Sequence, residues 1–126
     1  MQRLFITTGA ALMALAVILG AFGAHGLRDT LEPARLAAWH TAVRYQAWHA
    51  LGLLLLGALY AHLPERGARA AGLFMLAGIL LFSGSLYLLM LTGMRWLGPI
   101  TPVGGTAFIL AWLILAWSAW KGFKHP

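Results

Sequence analysis

Apolar residues run almost unbroken through four stretches of the chain, 4–24, 33–62, 70–91 and 103–120, and polar or helix-breaking residues gather between them. An α-helix needs about 20 residues to cross ~30 Å of hydrocarbon at 1.5 Å per residue, and the stretches match that length. The pattern predicts an all-α fold: a four-helix transmembrane bundle of up-down topology, forming one domain over residues 1–126. The second run is longer than a bilayer requires, with no helix breaker between Pro33 and Pro64. Its first part, 34–44, is therefore expected to project from the hydrocarbon or lie in the interface as an extension of the helix, with Trp39 and Trp48 as interfacial aromatics. Thr30 or Glu32 is positioned to cap this helix, and Pro33 fits its first turn, where a missing N–H costs nothing.

The first run invites comparison with a signal peptide. Its nineteen uncharged residues from Leu4 to Phe22 exceed a 7–15-residue signal core, and Phe22 or Leu19 is too large three positions before a cut. A retained span is expected. Gly9, Ala16, Gly20 and Gly23 draw a smooth stripe along one face of it, the kind that lets helix backbones approach closely in lipid.

Composition strengthens the membrane reading. The chain is 61% hydrophobic and 10% charged, against about 25% charged for soluble domains. A net charge of +6 raises nucleic acid as a partner. The nine Lys and Arg are instead scattered over termini and connections, as anionic lipid headgroups select, so membrane lipids are expected and nucleic acid is not. The absence of Cys removes disulfides, thiolate metal sites and a Cys nucleophile. With four spans both termini share a side, which holds Arg3, Arg66, Arg69, Lys121 and Lys124, against Arg28, Arg35, Arg44 and Arg95 opposite. The positive-inside rule then puts the termini in the cytoplasm by one charge.

Polar residues cluster in one half of this arrangement. The stretch W-H-T-A-V-R-Y-Q-A-W-H (39–49) is the richest in chemistry. His25 ends the first helix, Tyr45, Gln46 and His49 follow in the second, and Ser83, Ser85 and Tyr87 occupy the later half of the third. Thr101 opens the fourth beside Gly104 and Gly105. Tyr45/His49 and Ser83/Tyr87 are four apart, so each pair shares a face. Together His25, Tyr45, Gln46, His49, Ser83, Tyr87 and Thr101 form the candidate polar pocket, with His49 expected near His25 and bonded to Gln46, Tyr87 or a water. Catalysis finds little support: no carboxylate lies within a span, zinc-type H-E-x-x-H spacing is absent, and the last two helices contain no His to ligate haem. No catalytic residue, metal or cofactor is expected.

The blocks G-A-F-G-A-H-G-L (20–27), Y-Q-A-W-H-A-L-G-L (45–53), L-F-S-G-S-L-Y (81–87) and I-T-P-V-G-G (100–105) resemble the YgdD-like family of small membrane proteins. This is a domain of unknown function found in bacterial inner membranes, with a mitochondrial relative in animals. The resemblance implies a four-span membrane protein of the inner membrane and carries no activity or catalytic residue.

Three readings follow. The first is a non-enzymatic membrane protein whose polar pocket binds or passes a small polar solute or a lipid headgroup, the ligand being unknown. The second is a structural or assembly protein whose polar residues only lock helices together, with room for a homo-oligomer. The third is an enzyme acting on a lipid or quinone. A dry, closed cluster around His49 favours the second, and a water-filled cavity reaching it favours the first. The topology is open to test. Cysteines replacing Arg28 and Arg95 should react with an impermeant thiol reagent in intact cells, and one replacing Arg66 should not. Labelling at Arg66 alone reverses the orientation.

Overall fold

The structure, a computed structural model, describes residues 1–125. Four helical rods follow one another: α1 (Gln2–His25), α2 (Pro33–Leu59), α3 (Glu65–Thr92) and α4 (Ile100–Gly122). Single 3-10 turns, Tyr60–His62 and Arg95–Leu97, lie between the last three. Among the described residues there is no strand. By length and apolarity α1, α3 and the segment Arg95–Gly122 can each cross a membrane. The polar residues of α2, Arg44, Gln46 and His49 among them, dilute its apolar character.

The helix ends show where local chemistry overrides the apolar pattern. α3 starts at Glu65, five residues before the expected position, because Pro64 supplies the N-cap and Glu65 sits in the first turn, where a carboxylate complements the helix dipole. α4 starts at Ile100, so Thr101 and Pro102 belong to the helix and not to the connection. A proline in the first turn lacks only an N–H that would have no partner there. At α2 neither Thr30 nor Glu32 caps with its side chain; the Glu32 carbonyl instead accepts the Leu36 N–H at 2.9 Å. α3 ends at Gly93, whose φ of +71° suits a residue without Cβ, and whose N–H reaches Leu89 O at 2.8 Å.

α1 and α2 are antiparallel and in contact along nearly their whole length. The small-residue stripe makes this possible. A Cβ on Gly9 would stand 2.9 Å from the Ala50 carbonyl oxygen, and one on Gly23 would meet the Trp39 ring at 2.6 Å. Ala16 is buried in the same face, and Gly20 is half-buried against Val43. At the far end α2 returns the arrangement: a Cβ on Gly57 would meet Ile6 at 2.5 Å. The expected interfacial extension of α2 is therefore corrected. From Trp39 onward the helix lies alongside α1, leaving only its first turn and a half beyond that contact.

α3 and α4 form the second pair, and α3 is not a uniform α-helix. Ile79–Gly84 is wound as a π-helix, a wider turn found mostly as short insertions. α4 crosses this turn at Gly104, where an added Cβ would run into the Phe82 backbone nitrogen and the Leu81 carbonyl carbon. Backbone touches backbone there. The core between the pairs is built from Phe5, Leu53, Leu56, Met75, Ile79, Phe108 and neighbouring alanines, with the Phe5 ring seated over Gly72.

The crossing predicts a sharp contrast between adjacent glycines. Gly104→Ala should force α3 and α4 apart at a cost of about 1–3 kcal/mol. Gly105→Ala should be tolerated, since its Cβ would find the Phe82 ring at 3.7 Å, an ordinary contact. Melting of the two detergent-solubilised variants checks this.

Candidate functional site

The polar side chains at the centre of the bundle are paired with one another or with backbone, and the pairs link all four helices; at the end of α2 the Tyr60 hydroxyl is buried without a partner. Gln46 is the hub, and it is almost fully buried. Its amide nitrogen donates to Leu12 O of α1 at 2.8 Å, and its amide oxygen accepts the Tyr87 hydroxyl of α3 at 2.6 Å. One turn earlier on α2, the Ser83 hydroxyl donates to Ala42 O at 2.7 Å. Nearer the α1–α2 connection, the Trp39 indole N–H donates to Leu19 O at 2.9 Å, and its ring packs on Tyr87 at 4.7 Å between centroids. Trp39 is thus a core residue and not an interfacial anchor. Trp48 faces outward, 53% exposed.

His49 is saturated in a way that fixes its tautomer. Nδ1 lies 2.7 Å from Tyr45 O, a carbonyl that can only accept, so Nδ1 carries the proton. Nε2 lies 2.9 Å from the Trp112 indole nitrogen, which can only donate, so Nε2 offers its lone pair. The ring stacks on Phe108 with centroids 3.5 Å apart and planes 12° from parallel. His49 therefore finds its partners on its own helix and on α4, not at Gln46, Tyr87 or a water.

His25 does not join this group. Gln46 is level with Leu12, and His25 lies thirteen residues further along α1, about 20 Å at 1.5 Å per residue. It is exposed at the end of α1. Thr101 is likewise separate: its hydroxyl pairs with Ser85 at 2.6 Å, and Ser85 also donates to Phe82 O at 3.0 Å. The seven candidates divide into a central group of Gln46, His49, Ser83 and Tyr87, joined by Tyr45 through its backbone carbonyl, a separate Thr101 paired with Ser85, and an isolated His25. Sequence reasoning missed Trp112 and Trp39 as network members. The available signal was that an indole N–H deep in a span must find an acceptor.

Between α2, the π turn of α3 and α4 runs a groove of about 470 Å³. Tyr45, His49, Phe82, Phe108 and Trp112 form much of its wall, and Pro102 closes one end. The lining is mostly apolar. Among the described residues no cluster of three or more His, Asp and Glu is placed to hold a metal ion.

A family signature described as a protein of unknown function, DUF423, matches residues 19–105, from the last two turns of α1 to the second turn of α4. The UPF0382 membrane protein YwdK of Bacillus subtilis (strain 168) is 48% identical over 121 residues, covering 95% of this chain and 98% of the relative. The chain belongs to this DUF423/UPF0382 family. A UPF0382 membrane protein of Staphylococcus epidermidis is 46% identical, with 90% and 93% covered, and one of Staphylococcus haemolyticus is 44% identical, with 95% and 98% covered. No solved structure matches. The matched span of this UPF0382 protein includes Gln46, His49, Ser83 and Tyr87 and stops short of Trp112.

The network predicts measurable coupling. Tyr87→Phe should destabilise the protein, because it leaves the buried Gln46 oxygen without a donor. In a double-mutant cycle with Gln46→Leu, the pair should show a coupling of about 0.6 kcal/mol, the average for hydrogen bonds between membrane helices, and no more than about 1.7 kcal/mol. Additive losses would mean that the bond contributes nothing.

Proposed function

We propose that this UPF0382 protein is a non-enzymatic, four-span protein of the bacterial inner membrane that works as a structural or assembly component, with both termini in the cytoplasm. The reading rests on one observation: the central polar side chains are closed on one another. Gln46 uses both ends of its amide, His49 uses both ring nitrogens, and the Ser83 and Tyr87 hydroxyls each donate to a partner on α2. A solute path needs polar groups free to exchange partners with its cargo, so this closure favours the locking role over passage of a polar solute. The four-span topology is supported by the α1–α2 contact. A helix packed along α1 from Trp39 to Gly57 shares its depth in the bilayer, despite its polar residues. The four sequence blocks support a closer kinship with the YgdD-like proteins within the family.

His49→Gln tests the locking role, since the amide supplies one donor and one acceptor as the ring does. Stability and complementation of a deletion strain should be measured side by side. The structural reading expects function to follow stability, with both largely retained. A variant that melts like the parent yet fails to complement would overturn it in favour of a binding site at His49.

A further inference from the structure

One charge in the bundle remains to be accounted for. Arg44 lies on α2 between Trp39, bonded at the level of Leu19, and Gln46, bonded at the level of Leu12. The stretch of α1 between those levels includes Val17 and Ile18, which are 65% and 62% exposed, as residues facing lipid tails are. Arg44 is itself exposed, and its Cα lies nine residues, about 13 Å, along the helix from Arg35. The chain has only three carboxylates. Asp29 and Glu32 precede α2, and Glu65 opens α3 at the opposite end of the bundle, so none shares this depth. A guanidinium so placed is costly unless an anion meets it or it reaches the interface.

Its orientation shows where that anion would lie. Nη2 of Arg44 is 3.3 Å from the Thr41 hydroxyl, so the side chain turns back toward the start of α2, the headgroup direction. Thr41 and Tyr45 are four residues apart and share a helix face. Tyr45 lines the groove of about 470 Å³ between α2, α3 and α4, a volume within the roughly 300–1,000 Å³ of ligand pockets. The groove descends from Pro102, in the first turn of α4, to Trp112, and Ile109 on its wall is 62% exposed, so it opens sideways into the bilayer. Arg44 and Thr41 do not themselves line the trough; they sit next to it through Tyr45, which lines it and shares the Thr41 face of α2.

We propose that this surface is a binding site for a single membrane glycerophospholipid, its phosphate held by Arg44 and Thr41 and one acyl chain laid along the aromatic groove past Tyr45 and Phe108. The guanidinium supplies the charge complement, with a fork of donors suited to phosphate oxygens. The trough supplies apolar walls that free inorganic phosphate cannot use. The inference goes beyond the locking role and rests on α2 crossing the membrane. Cysteine labelling at positions 28 and 66 tests that separately, because a crossing α2 must put them on opposite sides.

The experiment uses the full chain, delipidated in detergent, with dioleoylphosphatidylglycerol as probe, read by native mass spectrometry of lipid adducts and by melting temperature. One tightly held lipid and a raised melting temperature are expected for the parent. Arg44→Gln should weaken binding about tenfold or more, and Ile109→Trp, which fills the trough from its lipid side, should weaken it similarly. Both positions are exposed, and lipid-free melting of each variant verifies that it folds. Lipid binding by either variant at the parent's strength overturns the proposal. So does equal stabilisation by inorganic phosphate, or equally tight, Arg44-independent binding of dioleoylglycerol, which has no phosphate.

Discussion

Inside hydrocarbon a polar group has no water to fall back on, and the arrangement of this bundle follows from that constraint. Gln46 carries a donor and an acceptor at mid-depth on α2, and each must be met by another helix. Leu12 O meets one and Tyr87 the other, which fixes α1 and α3 against α2 at defined heights. Ser83 adds a second tie to α2, and His49 brings in α4 through Trp112. Each bond is individually small, about 0.6 kcal/mol on average between membrane helices. Their geometric effect is larger: apolar packing alone would leave the helices free to slide, and a slide of one residue would strand several buried groups at once.

The close approach that these bonds require comes from absent side chains. On one side Gly9, Ala16 and Gly23 bring α1 onto α2, and on the other Gly104 brings α4 onto the backbone of α3. The two pairs are then joined by bulk. Phe108 stacks on His49 and packs near Phe82, and Phe5 fills the space above Gly72. Small residues set the distances within each pair, and large ones fill the space between the pairs.

Four helices were legible because long apolar runs leave few alternatives, and the stripe on α1 was legible because glycine spacing follows helical periodicity. The ends were less so. Pro64 and Pro102 look like breakers in a linear reading, yet proline at or next to a helix start is compatible with the turn that follows. Within the site, the pairs Tyr45/His49 and Ser83/Tyr87 were correctly placed on shared faces. Depth was harder to read. Taking Trp39 as interfacial put His49 too near His25, when the helix runs beside α1 and carries His49 beyond the level of Leu12. Which partner each polar group chose depended on how α4 rotates about its axis, and its evenly apolar sequence gives no sign of that.

The π turn at Ile79–Gly84 has a consequence for how the gene can change. A wide turn holds an extra residue relative to regular winding, so the segment acts as a counter between two halves of α3. If the segment rewound as plain α with its length unchanged, everything beyond it would swing by about 100° around the axis. Tyr87 would leave Gln46, and Ser85 would leave Thr101, with no side chain altered. Loss of one residue within 79–84 would cancel that swing and leave both halves of α3 in register, so this stretch can absorb a single deletion that the regular turns on either side cannot.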